Sequence, residues 1–206
     1  DGDGDRVVMV DHKGEVVDGD ELIYIIAKNR QNAGRLEGGV VGTLMTNFGA
    51  EMAFEKLGIP FIRANVGDRY VMEQLVKNNW SLGGEGSGHI ICFDKSTTGD
   101  AIIAALQVLI ALWREGKNLH QLKSEMTKLP QVLKNVRIKE KTDPMLNEQI
   151  ANAVAEQTQR LSGQGRVLLR ASGTEPLIRV MAEGSDAELV SSVVDSLVST
   201  VAEAIG

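Results

Sequence analysis

Apolar positions along the chain recur with two periods, and their succession predicts alternating strands and helices. Residues 6–11 alternate around a Val-Val-Met-Val centre and are followed by a turn and a second short apolar run, which predicts a β-hairpin. Asp20 is the predicted N-cap of the first helix, and Gly34 its C-terminal stop. Further strands are predicted at 40–45, 61–66 and around the hairpin 83–93, with helices at 50–57, 68–77 and 100–115. This alternation favours a three-layer α/β domain.

The helix predicted at residues 100–115 is apolar on nearly all sides, so we expect it to lie in the core of that domain. Because residues 134–141 are basic and alternate, a linker and the first strand of a second domain are predicted between residues 129 and 141. Asp143 followed by Pro144 indicates a helix start. Strands are then predicted at 166–171 and 177–182, and Ser185 with Glu188 predicts a capping box for a final amphipathic helix.

Composition excludes several classes of protein. An apolar fraction of 43% and a charged fraction of 24% are ordinary for a globular protein, and a net charge of −6 argues against a nucleic-acid or membrane-surface partner. The single cysteine, Cys92, lies in an apolar run and fits a reducing cytoplasm. No apolar run reaches the roughly 18 residues of a membrane span. Because the chain opens on an acidic loop without Met, we expect it to be truncated at its N-terminus.

The first segment with candidate chemistry is the acidic loop Asp-Gly-Asp-Gly-Asp-Arg at residues 1–6. Glycines between the carboxylates allow Asp1, Asp3 and Asp5 to converge on one hard divalent cation, and an all-oxygen ligand set favours Mg²⁺. A calcium-binding EF-hand loop would carry Gly at position 6 and Glu at position 12, where this chain has Arg6 and His12. The alternative is an acidic turn without a metal.

Two further loops carry polar groups suited to a sugar phosphate. In Gly-Gly-Glu-Gly-Ser-Gly-His at residues 83–89, the side chains of Glu85, Ser87 and His89 would share a face if the segment were extended, and they suit sugar hydroxyls. In Arg-Ala-Ser-Gly-Thr-Glu-Pro at residues 170–176, guanidinium, hydroxyl and amide groups suit a phosphate dianion. A flexible glycine turn and an ordinary hairpin turn are the respective alternatives. His12 and His120 are predicted to be solvent-exposed.

Taken together and in this order, the three loops resemble those of the α-D-phosphohexomutase family, and the resemblance covers essentially the whole chain. It implies an α/β fold, with a three-layer α/β/α domain followed by a small α+β C-terminal domain like the TATA-binding protein. The implied domains are 1–19, the end of domain 2 with the metal loop; 20–130, domain 3 with the sugar loop; and 131–206, domain 4 with the phosphate loop. Segments 39–47 and 65–71 are most similar to bacterial members that act on glucosamine phosphates.

The resemblance implies an isomerase, in which a phosphoserine transfers its phosphoryl group to a hexose phosphate through a bisphosphate intermediate. The implied net reaction is the interconversion of glucosamine 6-phosphate and glucosamine 1-phosphate, on the way to UDP-N-acetylglucosamine and the cell wall. It further implies Mg²⁺ on Asp1, Asp3 and Asp5, with Arg6 and His89 beside the reacting groups. The implied substrate-binding residues are Gly67, Asp68, Arg69, Glu85, Ser87, Arg170, Ser172, Gly173, Thr174 and Arg179.

Two departures from the family pattern qualify this expectation. Gly86 replaces a larger residue, which is expected to loosen the sugar loop, and no Thr-Ala-Ser-His-Asn-Pro segment occurs in the chain. The chain alone is therefore not expected to catalyse the reaction, and its expected partners include the missing N-terminal domains of the same protein. A homodimer is left open. Two other functions also remain, a sugar-phosphate-binding paralogue without activity and a mutase acting on mannose or glucose phosphate.

Overall fold

A computed structural model describes residues 1–140, 142–173 and 175–206. The chain divides into two compact units, Asp1–Lys128 and Leu129–Gly206, and each contains its own hydrophobic core. No helix among the described residues is long and apolar enough to cross a membrane.

The first unit contains a small hairpin and one four-stranded sheet. Its strands are β1 (Met9–Val10), β2 (Val16–Val17), β3 (Val40–Thr43), β4 (Phe61–Ala64), β5 (Leu82–Gly84) and β6 (Ile90–Cys92). β1 and β2 pair in antiparallel fashion, which confirms the predicted first hairpin. The sheet order is β4-β3-β5-β6, with β3 parallel to β4 and β5, and β6 antiparallel to β5.

Helices cover both faces of this sheet. They are α1 (Gly19–Asn32), α2 (Phe48–Lys56), α3 (Asp68–Asn78), α4 (Ala101–Glu115) and α5 (Leu119–Lys123). Val40 belongs to the apolar cluster that includes α1, α2 and α4, whereas its neighbour Val41 packs with α3. Because successive strand side chains point to opposite faces, the sheet lies between two helical layers. The predicted three-layer α/β/α architecture is therefore confirmed.

Two local expectations in this unit were wrong. The N-cap of α1 is Asp18, whose carboxylate accepts the N–H groups of Asp20 and Glu21, while Glu21 completes a capping box. The Asp20 carboxylate instead accepts the N–H of Asn47 at 2.9 Å, in the loop after β3. Helix α4 buries one side only, whereas it was expected to be buried nearly all round.

The outward side of α4 is an apolar stripe of five exposed side chains. They are Ile102, Leu106, Leu109, Ile110 and Trp113, with exposures from 37% to 81%. The opposite side carries Ala104, Val108 and Ala111, which are buried. The near-continuous hydrophobicity of this helix therefore does not reflect full burial.

The second unit is a three-stranded antiparallel sheet with helices on one face. Its elements are β7 (Gln131–Arg137), a 3₁₀ turn (Pro144–Leu146), α6 (Glu148–Arg160), β8 (Gly165–Ala171), β9 (Leu177–Gly184) and α7 (Ala187–Ile205), and the sheet order is β7-β9-β8. Ile178 and Val180 of β9 pack with both helices in one apolar cluster. The N-cap of α7 is Asp186 and not Ser185, because the Asp186 carboxylate accepts the N–H groups of Glu188 and Leu189.

A charge network around the buried Asp11 joins the first hairpin to α5. The ammonium group of Lys123 lies 3.0 Å from Asp11 Oδ2 and 2.7 Å from Glu15 Oε2, and His120 Nδ1 lies 2.9 Å from Asp11 Oδ2. His120 is thus a partner of Asp11, which corrects the expectation that it is solvent-exposed. Burial raises the pKa of Asp11, but hydrogen bonds from Lys123, His120 and two backbone N–H groups outweigh burial and hold the pKa well below its usual range.

Replacing one buried and one exposed isoleucine tests the one-sided burial of α4. Ile26 of α1 is 1% exposed, so Ile26→Ala should lower the free energy of unfolding by about 2–5 kcal/mol. Ile102 is 72% exposed, and Ile102→Ala should change the free energy of unfolding by less than about 0.5 kcal/mol. Urea unfolding followed by tryptophan fluorescence reports on this unit, which holds both tryptophans. Equal losses would contradict the exposed stripe.

Lys123→Met should lower the urea midpoint at pH 7, because it leaves the Asp11 carboxylate buried without its ammonium partner. The pKa of Asp11 is lower in the folded state than the roughly 3.9 of an unfolded aspartate. This stabilisation is therefore present above that pH and is lost as the pH falls. The difference between variant and unsubstituted chain should shrink below about pH 4.

Lys117→Met is the matched control for this change, because Glu125 keeps Lys28 as a partner when Lys117 is removed. Its effect on the midpoint should be small at every pH. An effect of Lys123→Met that stays constant down to pH 3 would show that Asp11 is not the group responsible.

Candidate functional site

The three aspartates of the first loop converge. Asp1, Asp3 and Asp5 each offer a carboxylate oxygen, and these atoms lie within 4.8 Å of one another. Asp1 and Asp3 are exposed, whereas Asp5 is half-buried. Gly4 between them has φ of +74°, a conformation that favours glycine and bends the loop.

This donor set fits Mg²⁺. The ion prefers oxygen ligands, and the three aspartate carboxylates supply an all-oxygen set. Asp5 Oδ1 is buried and makes no hydrogen bond, so it is an acceptor that a cation can satisfy.

Backbone contacts hold the metal loop against the glycine-rich loop. Arg6 and His89 form an antiparallel β-bridge, and the N–H of Val7 donates to the carbonyl of Gly88 at 3.0 Å. His89 Nδ1 lies 3.0 Å from Asp5 Oδ2. The structure thus brings Asp5 and Arg6 of the first loop together with His89 of the second loop.

The glycine-rich loop is a tight turn between β5 and β6 and is not extended. The N–H of Glu85 donates to the carbonyl of His89, and the N–H of Gly88 donates to the carbonyl of Glu85, both at 3.0 Å. Consequently Glu85, Ser87 and His89 do not share a strand face. Ser87 is exposed, Glu85 is half-buried and His89 is buried.

Gly86 lies in this turn and contacts the start of α1. Its carbonyl accepts the N–H of Gly19 at 3.0 Å. A Cβ at residue 86 would lie 3.3 Å from Asp20 Oδ2, so a side chain at this position would crowd Asp20.

The loop before α3 is joined to the same turn. The N–H of Gly67 donates to Glu85 Oε1 at 3.0 Å, and Asp68 and Arg69 begin α3 beside it. A cavity of about 160 Å³ is lined by Asp68, Arg69, Met72, His89, Ile91, Thr97 and Thr98. The two threonines were missed by the sequence analysis, although the polar run Ser-Thr-Thr-Gly-Asp before α4 could have indicated a loop at this site.

The basic residues of the third loop lie in the second unit. Arg170 of β8 and Arg179 of β9 are directly opposite in the antiparallel register. Like charges in this position repel one another, so a bound anion between them would stabilise the pair. Burial, followed by the Arg179 guanidinium, lowers the pKa of Arg170, and Arg170 Nε is buried without a hydrogen-bond partner.

The rest of this loop provides further polar groups. Ser172 is buried, and its hydroxyl oxygen accepts the N–H of Glu175 at 3.3 Å. Gly173 is exposed. Thr174, also predicted to bind phosphate, lies outside the described residues. Arg170 lines an open cavity of about 480 Å³ with Thr142, Asp143, Leu169 and Ala171.

A second group of possible metal ligands occurs among the described residues. Oxygen or nitrogen atoms of Asp11, Glu15 and His120 also lie within 4.8 Å of one another. The Lys123 ammonium contacts both carboxylates and already compensates part of their charge. In the first loop the Arg6 guanidinium comes only within 4.0 Å of Asp5 Oδ1, which is beyond hydrogen-bond distance, so these aspartates are the better candidates for a metal.

Arg179→Gln should weaken the binding of inorganic phosphate by about 10- to 100-fold, because a charge-assisted hydrogen bond contributes about 1.5–3 kcal/mol. Because residues 129–206 contain no aromatic side chain, a ¹⁵N NMR titration is the suitable measurement. Lys134→Gln is the control, since Lys134 pairs with Asp195 and points to the opposite face of the sheet from Arg179. Equal affinities for the two variants would contradict a phosphate site at the arginine pair.

Comparison with known proteins gives consistent matches over both units. The phosphoglucomutase/phosphomannomutase alpha/beta/alpha domain III matches residues 18–129, and the C-terminal domain of the same family matches residues 133–200. A phosphoglucosamine mutase of Hahella chejuensis is 64% identical over 98% of this chain and 45% of its own length. Another, of Ectopseudomonas mendocina, is 58% identical over 98% of this chain and 46% of its own length. The chain therefore spans about half the length of these relatives.

Among solved structures, the N-acetylphosphoglucosamine mutase of Aspergillus fumigatus, in complex with GlcNAc-6P and magnesium, matches with a TM-score of 0.82. The match covers 100% of this chain and 48% of that chain, at 22% identity. At this identity the likeness establishes a shared fold.

Proposed function

Because this chain belongs to the phosphoglucomutase/phosphomannomutase family, we propose that it supplies the metal, sugar and phosphate loops of a phosphoglucosamine mutase. The proposed reaction interconverts glucosamine 6-phosphate and glucosamine 1-phosphate. The observation that carries the proposal is the direct contact between the Asp5 loop and the His89 loop, because a metal-dependent phosphoryl transfer needs the metal ligands beside the sugar site. The identities of 58% and 64% to phosphoglucosamine mutases support this choice of sugar.

In this proposal the first loop holds Mg²⁺ through Asp1, Asp3 and Asp5. When bound, the ion would neutralise charge that develops on the transferring phosphoryl group. Arg6, which is exposed beside this loop, would contact the same phosphoryl oxygens.

The remaining residues bind and orient the substrate. Glu85 and Ser87 would bind sugar hydroxyls, while Gly67, Asp68 and Arg69 would contribute to the choice of sugar. Arg170, Arg179, Ser172, Gly173 and Thr174 would hold the phosphate that does not react. Phosphoryl transfer depends mainly on such positioning, because the protein supplies little covalent chemistry of its own.

The proposed reaction also requires a phosphoserine, which this sequence does not provide in the motif usual for the family. In the proposed cycle the serine oxygen–phosphorus bond breaks as a sugar oxygen–phosphorus bond forms. The bisphosphate then reorients and returns its other phosphoryl group to the serine. We assign the phosphoserine to domains that make up the other half of the relatives' length, and we propose a cytoplasmic location. The homodimer stays a prediction.

Asp3→Ala tests the metal loop within the full-length protein. Turnover of glucosamine 6-phosphate with Mg²⁺ and a bisphosphate activator should fall by at least about 100-fold, because losing a metal ligand costs at least as much as losing an outer-shell partner. Activity should also be higher on glucosamine phosphate than on mannose or glucose phosphate. Preference for another sugar would replace the proposed substrate, and inactivity on all three would favour a sugar-phosphate-binding paralogue.

A further inference from the structure

The imidazole of His89 is held on the metal-loop side of the glycine turn. Its side chain is only 6% exposed, and Nδ1 lies 3.0 Å from Asp5 Oδ2. In the tautomer that carries hydrogen on Nδ1, the ring donates a hydrogen bond to this carboxylate. The bridge between Arg6 and His89 fixes the two backbones at the same place. The ring is therefore positioned toward Asp5 by both its backbone and its side chain.

Gly99 fixes the other edge of the ring. A Cβ at residue 99 would lie 2.3 Å from His89 Nε2, 2.6 Å from Cδ2 and 2.7 Å from Cε1. Carbon and ring atoms do not approach so closely, so any side chain at residue 99 would displace the imidazole. Next to it, the N–H of Ala101 donates to the carbonyl of Gly4 at 2.9 Å, which holds the start of α4 against the metal loop.

This arrangement divides the two oxygens of Asp5 between two tasks. Oδ2 accepts the hydrogen bond from His89. Oδ1 is buried without a hydrogen bond, and Arg6 Nε lies 4.0 Å from it. Rotation of the carboxylate would break the His89 contact, so the orientation that leaves Oδ1 available is the one that His89 stabilises.

We infer that His89 is a positioning residue for the metal loop and that it holds Asp5 so that Oδ1 faces the cation. His89 can take this position only because Gly99 has no side chain. The inference rests on the proposed magnesium site and goes beyond the placement of His89 beside the reacting sugar. Outer-shell hydrogen bonds of this kind typically change metal affinity by about 10- to 100-fold.

Two substitutions of His89 distinguish positioning from a general structural role. The amide nitrogen of asparagine can occupy the place of imidazole Nδ1, so His89→Asn should keep the Asp5 contact and bind metal within about threefold of the unsubstituted chain. Glutamine places its amide nearer the position of Nε2, so His89→Gln should bind metal about tenfold more weakly. The probe is Mn²⁺, measured by the EPR signal of the free ion, with Mg²⁺ as competitor.

Gly99→Ala should weaken Mn²⁺ binding by about the same tenfold factor as His89→Gln, because the new methyl group displaces the ring. His120→Gln is the matched control, since it removes a similar contact between Nδ1 and an aspartate, 2.9 Å long, at the cluster that Lys123 neutralises. It should leave Mn²⁺ affinity unchanged. Asp3→Asn should abolish binding and so assign the signal to the first loop.

The outcomes separate this inference from the proposed function. If Asp3→Asn abolishes binding while His89→Gln and Gly99→Ala bind as tightly as the unsubstituted chain, the metal site stands and the inference is wrong. Equal weakening in His89→Asn and His89→Gln would indicate a structural role and would also overturn it. Absence of Mn²⁺ binding to the unsubstituted chain would overturn both proposals.

Discussion

The site in the first unit depends on backbone segments that approach one another more closely than any side chain would allow. A Cβ at Gly19 would lie 2.0 Å from the carbonyl oxygen of Glu85, and one at Gly88 would lie 2.1 Å from that of Val7. These two glycines bring the start of α1 and the metal loop against the turn between β5 and β6. The contacts between Asp5, Arg6 and His89 follow from this close packing, because each of these side chains extends from a backbone that is already fixed.

In the turn between β5 and β6, the glycines therefore allow close packing and do not indicate a flexible loop. The carbonyl of Gly86 accepts the N–H of Gly19, and the Glu85 carboxylate accepts the N–H of Gly67. The turn therefore has hydrogen-bonded contacts to α1 and to the loop before α3. A loop held at several points pre-organises polar groups and reduces the ordering cost when a ligand binds.

Sequence pattern predicted those features that local chemistry decides. Apolar runs such as Val40–Thr43 predicted the strands of the sheet. The convergence of Asp1, Asp3 and Asp5 could be predicted from the glycines between them, because it is a local property of the loop. The contact between Asp5 and His89 could not be predicted from the residues alone, since 84 positions separate them and only the fold makes them neighbours. The exposed side of α4 was missed for a related reason. The hydrophobicity of a side chain shows that its burial would be favourable, whereas its actual burial depends on which other elements pack against it.

The acidic loop of the first unit and the arginine pair of the second unit each bring like charges close together, with opposite signs. In the first loop three carboxylates converge with only the Arg6 guanidinium nearby, 4.0 Å from Asp5, and in the second unit Arg170 and Arg179 are adjacent across two strands. Each arrangement costs free energy in the unliganded chain and is relieved by an ion of the opposite charge. The contrast with Asp11, whose charge Lys123 neutralises internally, is informative. A charge cluster that the chain already compensates stabilises the fold, whereas one left uncompensated is available to bind a ligand.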